Sequence, residues 1–464
     1  MLKNPLDRVA GAVIVLLLIS ITIVILRGDQ VGVQIVSRNP ADGADGVGTR
    51  AFLALTFSEA MPSRALDDLV SIMPLLTGTL RWNGAAAVFF QPAQAWQSDT
   101  AYTVTLKAGA RSDRGRELLR EVTWTFRTGH PRVVYLSPAT SVGDLYVRDV
   151  GVAAAPQRIT SEPYGVFDFA VSPDGKRIVY SATRDKSGAR DLWVIAPDGS
   201  QRERIMTCDE QVCQAPSFSA DGTRIAFQRH NLIQGVLGKS PGPSRIWLYD
   251  FTNNTFVALS GDSQELGNMP RWAPTGEKLS YYDPVNDAVS IVDVGTGDKV
   301  QLPSVLGDSG TWSPNARELI YPDLRALDNG QFNQMLRADL VDAVITQVMP
   351  LSNTNDASIT WSPLGSMIAF TRQRTGASGA TGGFMAFGPQ IWVSTPQGES
   401  AHPLTDDPGF TYGGLSWSPD GVWIVAVRNN LQMPNPKPEV WLVRSDGSQV
   451  VRLAEDATIP AWLP

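Results

Sequence analysis

Two cysteines, three histidines and a few serine- and aspartate-bearing strings are the residues of this 464-residue chain whose types and spacing could do chemistry. Cys208 and Cys213 bracket the segment TCDEQVC. In an oxidising compartment such a pair closes a small hairpin loop as a disulfide, whereas in the cytoplasm it is more often free or bound to metal. A metal centre lacks donors, because His130, His230 and His402 are remote in sequence and no second Cys pair completes four ligands. Gly238-Lys239-Ser240-Pro241-Gly242 satisfies the letters G-x-S-x-G, but a nucleophile elbow needs a strand before it and a helix after it. Here a Pro-rich loop leading into strand RIWLYD (245–250) is expected instead. Gly307-Asp308-Ser309-Gly310 has the letters of a serine nucleophile string, yet it stands where a turn between repeats is due.

Asp174, Asp221 and Asp420 recur at one place in a repeated phrase, which favours turn formation over Ca²⁺ ligation or acid–base work; Thr275, Asn315 and Leu364 stand there in other copies. Gly376–Gly388 lacks the Lys-Ser/Thr of a phosphate loop and reads as a flexible insertion. Arg27-Gly28-Asp29 spells an adhesion tripeptide that chance explains. No catalytic, cofactor-binding or metal-ligating residue is expected, the disulfide pair Cys208 and Cys213 is the one covalent feature assigned, and ligand-binding residues are left unassigned. The expectation is a protein that is not an enzyme.

The elements that would carry any such residue are strands. From Arg132 onward a phrase of the form W/F-S-P-D-G-x-x-I-x-Y/F recurs: FAVSPDGKRIVY (169–180), FSADGTRIAF (218–227), WAPTGEKLSY (272–281), WSPNARELIY (312–321), WSPLGSMIAF (361–370) and WSPDGVWIVA (417–426). The spacing of 40–56 residues matches a four-stranded propeller blade. Each phrase reads as strand, turn, strand: Pro presets one dihedral, Asp bonds back to the backbone and Gly supplies a positive φ. A third strand follows each time, at 144–149, 191–196, 245–250, 289–294, 335–340, 390–395 and 439–444. Seven third strands against six complete phrases leave the first copy without its opening strand. Ala461-Trp462-Leu463-Pro464 supplies it and closes the ring. The expectation is seven blades, with six as the alternative count. Trp193, Trp247, Trp272, Trp312, Trp361, Trp392, Trp417 and Trp441 are expected at equivalent strand positions, packing blade on blade.

Upstream, AFLALTF (51–57), AAVFFQ (86–91), AYTVTL (101–106) and VTWTF (122–126) alternate apolar and polar residues between Gly- and Pro-rich turns, as sandwich strands do. The run NPADGADGVGTRAFLALTFSEAMPS (39–63), with the later Tyr102-Thr103-Val104 and Thr123-Trp124-Thr125-Phe126, resembles the bacterial SbsA-type Ig-like domain. That resemblance implies a spacer or adhesion module without an active site. The WSPDG phrases, with downstream I-W-V and Pro403-Leu404-Thr405, are similar to TolB-like, WD40-related repeats, which implies export and a propeller face used for binding proteins or small ligands. TolB's own propeller is six-bladed and has a different partner domain, which weakens any specific Tol-system role. Prolyl-oligopeptidase-type peptidases join a similar propeller to a hydrolase domain, for which 33–128 has no room.

Val9–Leu26 reads VAGAVIVLLLISITIVIL, 18 residues without a charge. At ~1.5 Å per residue it nearly spans a ~30 Å hydrocarbon core. A cleaved signal peptide is the rival reading, but no A-x-A-like site follows. Lys3 and Arg8 favour an N-terminus inside. The expected organisation of this all-β chain is a cytoplasmic 1–8, a transmembrane helix 9–26, an Ig-like β-sandwich 33–129 and a β-propeller 132–464, in a single pass through the bacterial cytoplasmic membrane. A net charge of −7 disfavours nucleic acid as a partner. Envelope proteins or glycans are the expected partners, no cofactor is expected, and the function expected is extracytoplasmic binding or scaffolding. The alternative is a hydrolase or lyase working at the central propeller face.

Overall fold

The computed structural model of the protein describes residues 32–49, 51, 53–66, 68–93, 95–235, 238–328, 330–350, 352–374 and 388–464. The proposed span Val9–Leu26, the tripeptide at 27–29 and all of the 376–388 insertion except Gly388 lie outside these residues. Among the described residues no helix is long and apolar enough to cross a membrane. The described elements are strands, which divide between two compact units.

The first unit holds two four-stranded sheets. One contains Ile35–Asn39, Leu53–Phe57, Ala87–Pro92 and Gly78–Asn83 in that spatial order; the other contains Ala44–Val47, Val122–Thr128, Ala101–Leu106 and Val70–Met73. Period-two alternation builds each buried face: Leu53, Leu55 and Phe57 point inward from one strand, Tyr102, Val104 and Leu106 from another, Trp124 and Phe126 from a third. Tyr102 and Phe126 stack with centroids 5.6 Å apart.

The second unit contains seven four-stranded blades in chain order. Their innermost strands are Thr458–Leu463 (blade 1), Val166–Val171 (blade 2), Gln211–Phe218 (blade 3), Asn268–Trp272 (blade 4), Thr311–Trp312 (blade 5), Thr354–Trp361 (blade 6) and Phe410–Trp417 (blade 7). Blade 1 is shared between the ends of the repeat region, with Ala461, Trp462 and Leu463 paired to Val134, Val133 and Arg132. Blades 2 and 3 fuse into one sheet through a single parallel pair, Arg190 opposite Val212.

The second strand of each blade explains the I-x-Y/F phrase. Its residues alternate between two buried faces rather than between core and water, so the run is apolar throughout. Ile178 and Tyr180 pack against blade 1, while Val179 packs against blade 3. Ile368 and Phe370 face blade 5 while Ala369 faces blade 7. Seven apolar clusters result, each built from two neighbouring blades, and the cluster joining Val133 and Tyr135 to Val425 and Leu442 closes the circle.

The SPDG turns form as the residue types require. Ser172 Oγ donates to Asp174 Oδ1 at 2.7 Å, and Lys176 N–H donates to the same oxygen at 3.1 Å. Ser219–Asp221, Ser313–Asn315 and Ser418–Asp420 repeat the first bond. Gly175, Gly222, Gly365 and Gly421 take φ of 67–73° at the turn, which L side chains resist.

Two expectations are corrected. The tryptophans fall into two sets. Trp272, Trp312, Trp361, Trp417 and Trp462 end innermost strands and are buried, whereas Trp193, Trp247, Trp392 and Trp441 lie on third strands, half-buried beneath arginines. Arg202 stands 3.7 Å over the Trp193 ring, Arg229 4.6 Å over Trp247, Arg374 5.0 Å over Trp392 and Arg428 4.4 Å over Trp441. The flat guanidinium covers an indole at a partly wet edge while its charge keeps water contact. The second correction concerns Gly238–Gly242, which is not a loop. It opens the long strand Gly238–Asp250, whose partner Arg224–Gly235 is equally extended, because polar and apolar residues pair across the whole hairpin.

Candidate functional site

The innermost strands surround a central cavity of about 830 Å³, walled by residues of blades 1, 2, 3, 4 and 7. A second cavity of about 370 Å³ lies against blades 4 to 7, and Arg271, Gly414 and Leu415 line both.

One backbone device recurs around this wall. The register slips in the innermost strand of blades 1, 3, 4, 6 and 7. At each slip a residue three positions before the terminal ring adopts a left-handed backbone: Ile459 (φ 48°), Ala215 (51°), Met269 (52°), Ser358 (49°) and Gly414 (60°). Such a bulge bends the strand and releases backbone groups from the ladder. Pro216, Pro270 and Pro460 follow three of these residues, and proline, lacking an N–H, is tolerated where a bulge has already interrupted pairing. Ile459 is β-branched, for which a positive φ is strained. All five bulge residues line the cavities.

Blade 2 carries its slip between Val166 and Asp168, and Asp168 ties it to the next bulge by accepting the Ala215 N–H at 2.6 Å. Asp168 is half-buried, and its Oδ1 is buried without a hydrogen-bond partner. Burial pushes it up to about 7, against the Ala215 N–H and the Arg190 charge, which favour ionisation. Blade 6 solves the same problem differently: Arg372 grips Asp356 through two bonds of 2.7 Å, and burial still raises that carboxyl above the ordinary range. The larger cavity thus offers apolar side chains and bulged backbone, with Arg271 the formal charge on its wall.

The residues singled out in the sequence are dispersed. Cys208 and Cys213, both buried, stand at disulfide-bonding distance across the turn before the innermost strand of blade 3. His402 is exposed on the outermost strand of blade 6, whereas His230 is buried on the second strand of blade 3. Asp308 of the GDSG string accepts the Gly310 N–H at 2.8 Å, a turn bond, and Ser309 is buried. Among the described residues no group of three His, Cys, Asp or Glu has the placement of a metal centre. The bulge residues leave no mark on the side-chain pattern because what they share is a backbone conformation, not a side-chain type.

Comparison with known proteins gives the following. Residues 29–128 match the bacterial Ig-like domain family. Over 66 residues the chain is 41% identical to dipeptidyl-peptidase 5 of Porphyromonas gingivalis, a match covering 13% of this chain and about a tenth of that relative's length. TolB of Acinetobacter baumannii is 14% identical, with 94% of this chain and 100% of that one covered and a TM-score of 0.43. The β-propeller domain of the Trilobed protease from Pyrococcus furiosus is 7% identical, covering 77% and 92% at a TM-score of 0.45. Residues 29–128 thus match a model of the bacterial Ig-like domain family, and the strands that follow are arranged as the blades of a β-propeller.

Proposed function

We propose that this chain is a membrane-anchored, extracytoplasmic binding or scaffold protein of the bacterial cell envelope, held by residues 9–26 with its N-terminus inside, and not an enzyme. The observation that carries the binding role is the cavity of about 830 Å³ walled by apolar side chains and by bulges in the innermost strands. Its size suits a small ligand or an inserted segment of a partner, and the apolar side chains of its wall suit the burial of an apolar group. The partners that fit this reading are envelope proteins or glycans. The paired Cys208 and Cys213 agree with an oxidising compartment.

The test is photo-crosslinking in intact cells with a reactive amino acid at Asn429, on the cavity wall, and at Val257, exposed on an outermost strand. Capture of one reproducible partner from Asn429 and not from Val257, with Met1 retained in the membrane fraction, is the expected result. Partners equal at both positions, or none, would remove the binding reading.

A hydrolase or lyase at the central face is the second reading; Asp168, whose carboxyl burial pushes up to about 7, directly precedes Phe169 on the cavity wall and is the acid–base candidate for it. Turnover of a peptide, ester or glycoside that disappears in Asp168→Asn would establish it.

A further inference from the structure

A second recess, separate from the central cavity, lies where blades 2, 3 and 4 meet, with a volume of about 590 Å³. Its polar floor is one row across four strands. Arg190 stands opposite Val212, Val212 opposite His230, and His230 opposite Ser244. Directly opposed residues project from the same face of a sheet, so Arg190, His230 and Ser244 all present their side chains to one side. The parallel contact that fuses blades 2 and 3 is what brings Arg190 into the row.

These groups are placed without partners. His230 is 5% exposed and its Nε2 has no hydrogen bond; Ser244 is 8% exposed and its Oγ has none; the Arg190 Nε is also buried and unpaired. Buried polar atoms are normally satisfied, because leaving one bare forfeits its hydrogen bonds to water without replacement. Three in one recess call for a ligand that accepts hydrogen bonds. Arg190 gives one nitrogen to Gln214 Oε1 and lays its guanidinium plane 3.4 Å over the Phe167 ring, which fixes the direction of the rest. Among the described residues it forms no ion pair: the Asp168 carboxyl is near enough to feel its charge but bonds the Ala215 N–H, and Lys239 at the rim reaches the exposed Glu210 at 3.8 Å. Burial and the Arg190 charge lower the His230 pKa, so its ring is neutral and donates from Nε2 in one tautomer. Phe167, Pro241, Pro243 and Pro284 give the recess apolar sides.

We infer that this recess binds a small organic carboxylate, its oxygens taking the Arg190, His230 and Ser244 donors and its ring or chain lying against Phe167 and the prolines. Charge-assisted bonds from an arginine fork and a hydroxyl favour a carboxylate over a neutral amide of the same shape. The inference does not depend on what the central cavity binds.

Titration calorimetry of the full-length chain in detergent with benzoate, and with benzamide as its neutral match, tests this. Benzoate is expected to saturate at about 10 mM or tighter, with benzamide at least about fivefold weaker. Arg190→Gln should weaken benzoate about tenfold and Ser244→Ala about threefold, with circular dichroism unchanged. Should Arg190→Gln fail to fold, Ser244→Ala and His230→Leu decide. Equal affinity for benzoate and benzamide, absence of saturation, or unchanged binding in folded variants would each overturn the assignment.

Discussion

The indole Nε1 of Trp361 donates to the backbone carbonyl of Thr311 at 3.1 Å, and so joins the innermost strand of blade 6 to that of blade 5. Thr311 is the residue before Trp312, and the bond recurs one blade back, from Trp312 to the Arg271 carbonyl, and again at the closure, from Trp462 to the Ser416 carbonyl. In these three blades the terminal ring therefore packs on its neighbour and also fixes that neighbour's height, whereas the Trp272 and Trp417 indoles pack without such a bond. Trp361→Phe should keep the packing and lose about 1 kcal/mol, and Trp361→Ala should lose about 3–5 kcal/mol. Urea unfolding followed by tryptophan fluorescence and circular dichroism measures both; unchanged stability in Trp361→Phe would show that the hydrogen bond contributes nothing.

The bulge at Ile459 holds a β-branched residue at φ 48° with its side chain 40% exposed. Ile459→Gly should raise stability by about 1 kcal/mol, since relief of backbone strain exceeds the small burial lost. Gly414→Val, at φ 60°, should lower it by about 1–3 kcal/mol. Thermal denaturation of the two variants should move the midpoint in opposite directions.

Cys208 and Cys213 enclose a loop of sequence separation 5. Closing so short a loop restricts the unfolded chain modestly, and reduction should cost about 2 kcal/mol in the chain-entropy picture. Mass-tagging of thiols before and after reduction, paired with urea unfolding, checks the bond and its effect; tagging of the unreduced protein at both cysteines would contradict the pairing.

Asp168 makes stability depend on pH. Its folded carboxyl titrates at about 7, above the ordinary 3.8, so the native state holds a proton that the unfolded chain has released between those values. Stability from this group is full below about 4 and falls as pH rises to about 7. Asp168→Asn keeps an acceptor for the Ala215 N–H and cannot ionise. The variant should match the parent near pH 4 and exceed it at pH 8, by up to about 4 kcal/mol. Unfolding midpoints between pH 4 and 8 that run parallel for parent and variant would remove Asp168 from this role.

The repeats and the sharing of blade 1 between Arg132–Ser137 and Thr458–Leu463 were legible in the chain, because strand alternation, Pro-Asp-Gly turns and terminal rings are local signals printed several times over, whereas the long strands Gly238–Asp250 and Gly330–Asp339 begin well before the expected 245 and 335. A repeat corrects the noise of any one copy: Ala273 for Ser and Leu364 for Asp do not hide the phrase. The Ig-like sheets were legible for the related reason that one wet face and one buried face leave a period of two. The tryptophans divided only in three dimensions, since whether an indole is buried or half-covered at a wet edge depends on which strand of the blade carries it, although Trp193, Trp247 and Trp392 also pack on clusters shared by two blades. Tertiary structure likewise decided both recesses. Ala215, Met269, Ser358, Gly414 and Ile459 have no side-chain character in common, and it is the bulge that aims them at the central cavity. Arg190, His230 and Ser244 lie on three strands of two blades, and only the register of a fused sheet puts their unpaired donors on one face. Local periodicity specifies strands and turns; the meeting of donors from different strands is a property of register and ring closure, which no single stretch of residues carries.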